Sequence, residues 1–363
     1  MANVLLVEPF YGGSHKAFAD GLVDNSYHSF QLLTLPDSFW KWRMRGGAIK
    51  LAERARELEF RPDIVLASDM LSLAEFKSLY KQDLPSIVYM HENQLCYPAP
   101  YESHRDVHFG FTNITTCLAA DKVVWNSYYH MQSFFDSLGP FLKMMPDHHP
   151  SRLEERLREK SCVIYPGVDL ASIDKPAVKK DDPPIILWNH RWEFDKKPED
   201  FFAAVYEMER EGLDFGLVVL GENFQVKPRV FMEAKERLEG RILQFGHLQE
   251  REEYIRFLCR SSVSVSTAEQ ENFGMAAVEA AYAGAFPLWP CRLSYPELLG
   301  DDAGEDHLYA DFAELVLKLK KVLSKRTPGR DVRKDFSQRL MRFDWSRLIS
   351  LYDDLIERTA SGG

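Results

Sequence analysis

Short runs of apolar, β-branched residues recur along the chain, separated by longer amphipathic stretches, and this alternation constrains the fold more than any other feature. In the first half Val4-Leu5-Leu6-Val7, Ile64 to Ala67, Ser86 to Met90, Lys122 to Trp125 and Cys162 to Tyr165 read as strands. Gly47 to Glu59 and Asn113 to Ala120 read as helices between them. Strands that are apolar on both faces and alternate with helices predict a buried parallel sheet. After the charged stretch Lys179-Lys180-Asp181-Asp182 and the break Pro183-Pro184, the series restarts. Its strands are Ile185 to Trp188, Gly216 to Leu220, Ile242 to Phe245 and Ser262 to Ser266. Helices are expected at Pro198 to Glu211, Val230 to Leu238, Arg251 to Cys259 and Met275 to Ala283.

Two successive α/β series predict two Rossmann-like, doubly wound domains, 1–168 and 169–343, with a hinge near 168–183. The segment 344–363 carries Leu348, Leu351, Leu355 and Ile356 at helical spacing and is expected to pack back on the N-terminal domain. Ligands of open parallel sheets sit beyond the carboxyl ends of the strands, so two such domains facing a central cleft would share one.

Composition removes several function classes. A chain of 363 residues, 45% hydrophobic and 28% charged, is globular rather than disordered. The formal net charge of −10 argues against binding nucleic acid through a global field. A local basic patch stays compatible, because salt screens charges over about 8 Å. No stretch approaches the ~18 apolar residues that cross a bilayer, and the start is broken too early for a signal peptide. The 5 cysteines are dispersed without a C-x-x-C pair, which points to a reducing, cytoplasmic setting.

The richest segment is Thr267-Ala-Glu-Gln-Glu-Asn-Phe-Gly-Met-Ala-Ala-Val-Glu279, a predicted strand–turn–helix. Free backbone amides at the helix start, from Asn272, Phe273, Gly274 and Met275, suit an anion or sugar hydroxyls. Glu271 in the turn can accept hydrogen bonds from a sugar, and Glu279 on the helix can hold a ribose diol. Solvated carboxylates around a glycine loop are the plain alternative. Asn189-His190-Arg191-Trp192-Glu193-Phe194-Asp195-Lys196 follows the first strand of the same half. Arg191 as a fork and Lys196 as a point charge can converge on a diphosphate and stabilise its departure. Alternatively they pair with Glu193 and Asp195 at a helix start. On the first reading, removing either cation should lower turnover far more than it alters folding.

These segments resemble the family 4 retaining glycosyltransferases of the GT-B fold. The resemblance runs through Val163-Ile-Tyr-Pro-Gly-Val-Asp169, His190-Arg191 with Lys196, Leu220-Gly221-Glu222, Phe245-Gly-His-Leu248 and Glu271-x-Phe273-Gly274 with Glu279. It implies that Arg191 and Lys196 bind the diphosphate, that Glu271 and the amides after it hold the sugar, and that Glu279 holds the ribose. Choice of base would rest on the loop from Gly221 to Phe224 and on His247.

In the first half, Gly12-Gly13 after the first strand permits close backbone approach to a donor, although a plain tight turn looks the same. His91 ends a later strand, and the polar cluster Glu92-Asn93-Gln94 follows it. A structural histidine is the alternative; in the resembled family a histidine here lies near the transferred sugar. Pro9 to Lys16, Trp40-Lys-Trp-Arg43, His91 to Leu95, Asp147-His148 and Trp188 to Glu193 with Asp195-Lys196 look like the tRNA-queuosine mannosyltransferase family. That resemblance implies transfer of mannose from GDP-mannose to queuosine in a tRNA anticodon, with Lys16, Glu92, Asn93 and Gln94 on the acceptor side. Independently, Lys41, Trp42, Arg43 and Arg45 interleave aromatic rings with cations, as RNA stacking and phosphate pairing require. A helix entry with Trp40 or Trp42 buried is the alternative. Lys50, Arg54 and Arg56 extend the positive stretch, diluted by Glu53, Glu57 and Glu59, and His104-Arg105-Asp106-Val107-His108 and Lys143 to Arg152 add further cleft-side candidates.

No nucleophilic carboxylate of the kind retaining glycosidases use stands out, so the leaving phosphate is expected to take the acceptor proton. No metal site is indicated: there is no D-x-D at a strand end, and Asp147-His148-His149 lacks a further ligand. No cofactor beyond the nucleotide-sugar is expected. A related transferase acting on a glycan, lipid or small molecule is the nearest rival. A non-catalytic binder of modified tRNA conflicts with the intact set Arg191, Lys196, Glu271 and Glu279.

Overall fold

The computed structural model describes residues 1–98, 106–147, 149–174, 180–222, 229–300, 304–324 and 336–362. Of the residues singled out above, His104, Arg105, His148, Lys179, Asn223 and Phe224 lie outside that set. The chain divides into two compact units, Met1–Val168 with Trp345–Gly363, and Asp169–Asp344.

In the first unit β1 (Asn3–Tyr11), β2 (Ser29–Pro36), β3 (Ile64–Ser68), β4 (Ser86–Met90), β5 (Lys122–Trp125) and β6 (Ser161–Val163) form one sheet in the order β2-β1-β3-β4-β5-β6. Every pairing is parallel. Side chains alternate between two apolar layers, as a strand's period of two demands. Leu5, Val7, Val65, Ala67, Val88 and Trp125 pack on one face with Leu51, Phe76 and Phe134. Val4, Leu6, Ile64, Leu66 and Tyr89 pack on the other with Phe18, Leu22 and Tyr352. Burying each such side chain stabilises the unit by about 1.5–3 kcal/mol before chain entropy is counted.

The helix Trp345–Ala360 closes that second face. Its indole fills a slot where Gly21 and Gly167 come close, since a Cβ on either would lie 2.2 Å or 2.1 Å from Trp345 ring atoms. Tyr352 donates its hydroxyl to the carbonyl oxygens of Ile164 and Tyr165 at 3.2 and 2.7 Å.

The second unit repeats the architecture. β7 (Ile185–Asn189), β8 (Gly216–Leu220), β9 (Ile242–Gly246), β10 (Val263–Val265), β11 (Phe286–Pro290) and β12 (Leu308–Tyr309) are ordered β12-β11-β10-β7-β8-β9. The sequence reading overlooked β2, β11 and β12 for distinct reasons. β2 is half-exposed at the sheet edge and lacks the buried signature. β11 carries Pro287 and Pro290 although β10 and β12 flank it, which ordinary strand rules disfavour. β12 is only 2 residues long. Among the described residues no helix is long and apolar enough to cross a membrane.

Candidate functional site

In the second sheet the chain builds outward from β7 through β8 to β9, then returns to the other side of β7 for β10. The carboxyl ends of β7 and β10 therefore flank a topological switch point, where open α/β sheets bind ligands. Asn189 ends β7 and the loop after it carries His190 to Lys196, while the loop after β10 carries Thr267 to Gly274. Backbone and hydroxyl bonds tie them together: Thr267 donates to the Lys196 and Lys197 carbonyls, and Glu269 N donates to the Asp195 carbonyl at 2.7 Å. Gly274, at φ 95°, turns the chain into the helix Met275–Tyr282, whose start has no side-chain cap. Ser294 Oγ donates to the Glu271 and Phe273 carbonyls and holds the turn.

Lys196 is the centre of this junction. Its ammonium donates to the Gln270 carbonyl and lies 3.3 Å from Asp195 and 3.4 Å from Glu271. Burial works against the cation, but the Glu271 and Asp195 carboxylates outweigh it and hold the lysine above its usual pKa. The pairing with Asp195 that the sequence left open is thus present, and Lys196 neutralises a fully buried carboxylate. Arg191 differs: its guanidinium is 43% exposed, 3.4 Å from Glu193. His190, next to Arg191, is buried and neutral, its pKa depressed to about 3 by burial and by the Lys196 charge.

Glu271 keeps 20% of its side chain exposed beside Lys196. Asn272 is buried and accepts from Gln270 Nε2 at 3.0 Å, and the Phe273 ring packs edge-on against Phe343. Neither side chain is presented for binding.

Glu279 is buried, and each of its carboxylate oxygens already holds a donor, one from Arg251 and one from Tyr254 at 2.8 Å. Asn189 bridges Tyr254 and the Ala276 carbonyl. Arg251, Tyr254 and Asn189 went unnoticed in the sequence, where only the i, i+3 spacing of Arg251 and Tyr254 marks a common helix face. A carboxylate has lone pairs for further donors, so Glu279 retains capacity for a diol.

Gly221 ends β8 at φ +143°, and a Cβ there would lie 1.8 Å from the His190 carbonyl oxygen. That closeness lets the β7 and β8 loops meet beside a pocket of about 190 Å³, lined by Trp192, Gly221, Met232, Lys235, Phe245, Gly246 and His247. Trp192 forms its floor, stacked on Phe231 at 4.1 Å and 7°. The exposed His247 lies 3.8 Å from Glu222.

The first sheet has its own switch point, between β1 and β3. Gly12 has a packing reason, because a Cβ there would lie 2.0 Å from Asp37 Oδ2. Gly13 opens the helix Gly13–Asn25, and Lys16 in its first turn pairs with Asp20. His91 donates its backbone N–H to Asp69 at 2.7 Å and accepts from Asn126 at 2.9 Å through its carbonyl. Its ring stacks on His15 at 4.0 Å and is held neutral by burial and by the neighbouring histidines. Asn93 is wholly buried, with Oδ1 accepting from the Leu95 and Cys96 amides, so it shapes the turn that presents Glu92 and Gln94.

Sequence reading found no metal site, yet ligand atoms of Glu8, His15 and His91 gather within 4.8 Å. The His15–Glu8 hydrogen bond and the two stacked rings suit a polar network better than a chelate, whose ligands converge at about 2.1 Å. On the helix Trp40–Glu57, Trp40 tilts against Phe109 while Trp42 is 74% exposed, beside exposed Phe39, Lys41 and Arg45. Arg43 instead anchors the preceding loop, donating to the Pro36 carbonyl and Ser38.

Residues 3–168 match the family described as tRNA-queuosine alpha-mannosyltransferase N-terminal, and residues 171–339 match glycosyl transferases group 1. A Drosophila melanogaster protein named tRNA-queuosine alpha-mannosyltransferase is 36% identical over 372 residues, spanning 98% of this chain and 97% of its own. The chain belongs to that family. As a member of the tRNA-queuosine alpha-mannosyltransferase family it is a glycosyltransferase. Its α/β fold is GT-B: sucrose-phosphate synthase from Thermosynechococcus elongatus superposes with a TM-score of 0.72 at 15% identity over 100% of both chains. Anabaena HepE, solved with UDP and glucose, superposes with a TM-score of 0.69 at 12% identity, over 98% of this chain and 100% of its own.

Proposed function

We propose that the chain transfers mannose from GDP-mannose to queuosine in tRNA, with retention at the anomeric carbon. The observation that carries the reading is the near full-length likeness to a tRNA-queuosine alpha-mannosyltransferase. The junction of Lys196, Glu271 and the uncapped helix start supports it, because its cation and amides suit a nucleoside diphosphate bound to a sugar. GDP-mannose is an α-glycoside, so retention yields the α-mannoside of the relative's name. In this scheme Lys196 and Arg191 bear on the diphosphate, Glu271 and the amides of 272–275 orient mannose, and Glu279 takes the ribose. The pocket beside Gly221 and His247 takes the base. The acceptor hydroxyl approaches the face the diphosphate leaves and passes its proton to the departing phosphate oxygen. Orientation and charge stabilisation then supply catalysis. Lys16, Glu92 and Gln94 serve the acceptor side, His91 lies beside the transferred sugar, and Phe39, Lys41, Trp42 and Arg45 meet the RNA. The dispersed cysteines fit a reducing, cytoplasmic setting.

Incubation with GDP-mannose and queuosine-bearing tRNA is expected to release GDP and add one hexose to the queuosine, with activity persisting in a metal chelator. Transfer to glycans or lipids with none to tRNA would overturn the acceptor. Preference for a UDP-sugar would overturn the donor.

A further inference from the structure

A buried charged corner in the first unit plays no part in holding the donor as described. Glu8 lies near the end of β1, Asp69 follows β3 and His91 follows β4, so neighbouring strands bring these residues to the switch point of that sheet. Glu8 Oε2 is 3.0 Å from His15 Nδ1, and Glu8 Oε1 accepts the Phe10 amide at 2.8 Å. Asp69 Oδ1 accepts the His91 amide at 2.7 Å. The side chains of His15 and Glu8 are 9% and 3% exposed, and Asp69 is 1% exposed. The His15 side chain is 9% exposed and its hydrogen bond to Glu8 uses Nδ1, which leaves Nε2 as the ring nitrogen to meet a ligand.

The charge balance is uneven. Burial alone would keep His15 neutral, but Glu8, Asp69 and Glu92 outweigh it and raise the imidazole to about 9. Burial, together with repulsion from Glu92 and Glu8, pushes Asp69 up to about 8 despite the His15 charge. With Asp69 held largely in its neutral form, Glu8 and Glu92 face one imidazolium, and an incoming cation beside Asp69 favours its ionisation.

We propose that the Glu8–His15–Asp69 corner is the acceptor subsite, built for a group that carries a secondary ammonium beside a vicinal diol. The ammonium sits against Glu8 and Asp69, and a hydroxyl bonds to His15 Nε2. This rests on the reading of queuosine as acceptor, whose side arm joins a secondary amine to a cyclopentene diol. An acceptor with a neutral linker would bury the same carboxylates with nothing to balance them, so the corner selects by charge as well as shape.

The test uses the full chain and three synthetic anticodon stem-loops. They carry queuosine, guanosine, or a queuosine analogue with an ether oxygen in place of the secondary amine. Fluorescence anisotropy should show wild type binding the queuosine stem-loop about tenfold or more tighter than the ether analogue. Asp69→Asn and Glu8→Gln should each erase that preference; Asp69→Asn should melt within a few degrees of wild type, and Glu8→Gln, which removes one partner of a buried ion pair, should melt lower. Equal wild-type affinity for the queuosine and ether forms would overturn the subsite without any variant. So would retention of the full preference by a folded Asp69→Asn protein. If wild type prefers queuosine over guanosine while the corner variants discriminate normally, only the subsite fails. If wild type neither prefers nor mannosylates queuosine, the functional reading fails with it.

Discussion

Replacing Lys196 with alanine removes the cation that lies 3.3 Å from Asp195, a carboxylate with no exposed surface, and 3.4 Å from Glu271. Breaking a buried ion pair by deleting one partner costs about 3–5 kcal/mol, because the other charge stays buried without compensation. For a unit the length of Asp169–Asp344, each kcal/mol moves the melting temperature by roughly 2–4 °C. Lys196→Ala should therefore melt about 6–20 °C below wild type. Arg191→Ala offers the contrast. Its guanidinium is 43% exposed, and an exposed pair such as its contact with Glu193 is worth about 0–1 kcal/mol, so melting should barely move. Both variants should bind GDP about tenfold or more weakly, since each loses a charged partner of the diphosphate. The double change Lys196→Met with Asp195→Asn should recover most of the stability and none of the GDP affinity. Thermal melts and GDP titration on the four proteins give the answer. A Lys196→Ala protein that melts within about 2 °C of wild type would refute the structural half of the argument. Wild-type GDP affinity in Arg191→Ala would refute the functional half.

Gly221→Ala should destabilise the second unit by about 1–3 kcal/mol, read by chemical denaturation, because the new methyl meets the His190 carbonyl and the backbone holds φ +143°. Trp42→Ala should leave melting unchanged to within about 0.5 kcal/mol yet weaken tRNA binding by about 1–3 kcal/mol, since the ring is exposed and free to stack. Stability should peak near pH 6.5. His130 and His190 are depressed to about 3, so their contribution is complete above 6.5 and is lost as pH falls towards 3, at up to ~1.4 kcal/mol per pH unit each. His15 is raised to about 9, so its contribution is complete below 6.5 and is lost as pH climbs through 9. Melts across pH should show both limbs, and His15→Gln should flatten the alkaline one.

Local pattern made much of the architecture legible. Ser86–Met90, Lys122–Trp125 and Gly216–Leu220 coincide with the expected strands residue for residue, because buried parallel strands are continuously apolar. The strand–turn–helix after β10 was equally readable, since Gly274 marks the turn and small residues fill the helix behind it. Illegible were the partnerships made across the sheet. Lys196 meets Glu271, Arg251 meets Glu279, and Glu8 meets His15 beside Asp69. Those contacts follow from strand order, which places distant loops side by side and which no local spacing records. Proline hid β11 for the opposite reason, local chemistry being overruled by a position between two strands.

The seating of Trp345 between Gly21 and Gly167 reverses the usual order of assembly on the ribosome. The second unit is continuous in sequence, whereas the first lacks part of one core face until the residues after Asp344 have emerged. The domain synthesised first is thus the last to be completed. Until then the apolar sheet face of Val4, Leu6, Ile64 and Leu66 is covered only in part, by Phe18 and Leu22, and exposes the kind of surface that holdase chaperones bind. A chain cut after Asp344 would keep the second unit whole and strike the first, whose other residues lie far upstream of the lesion.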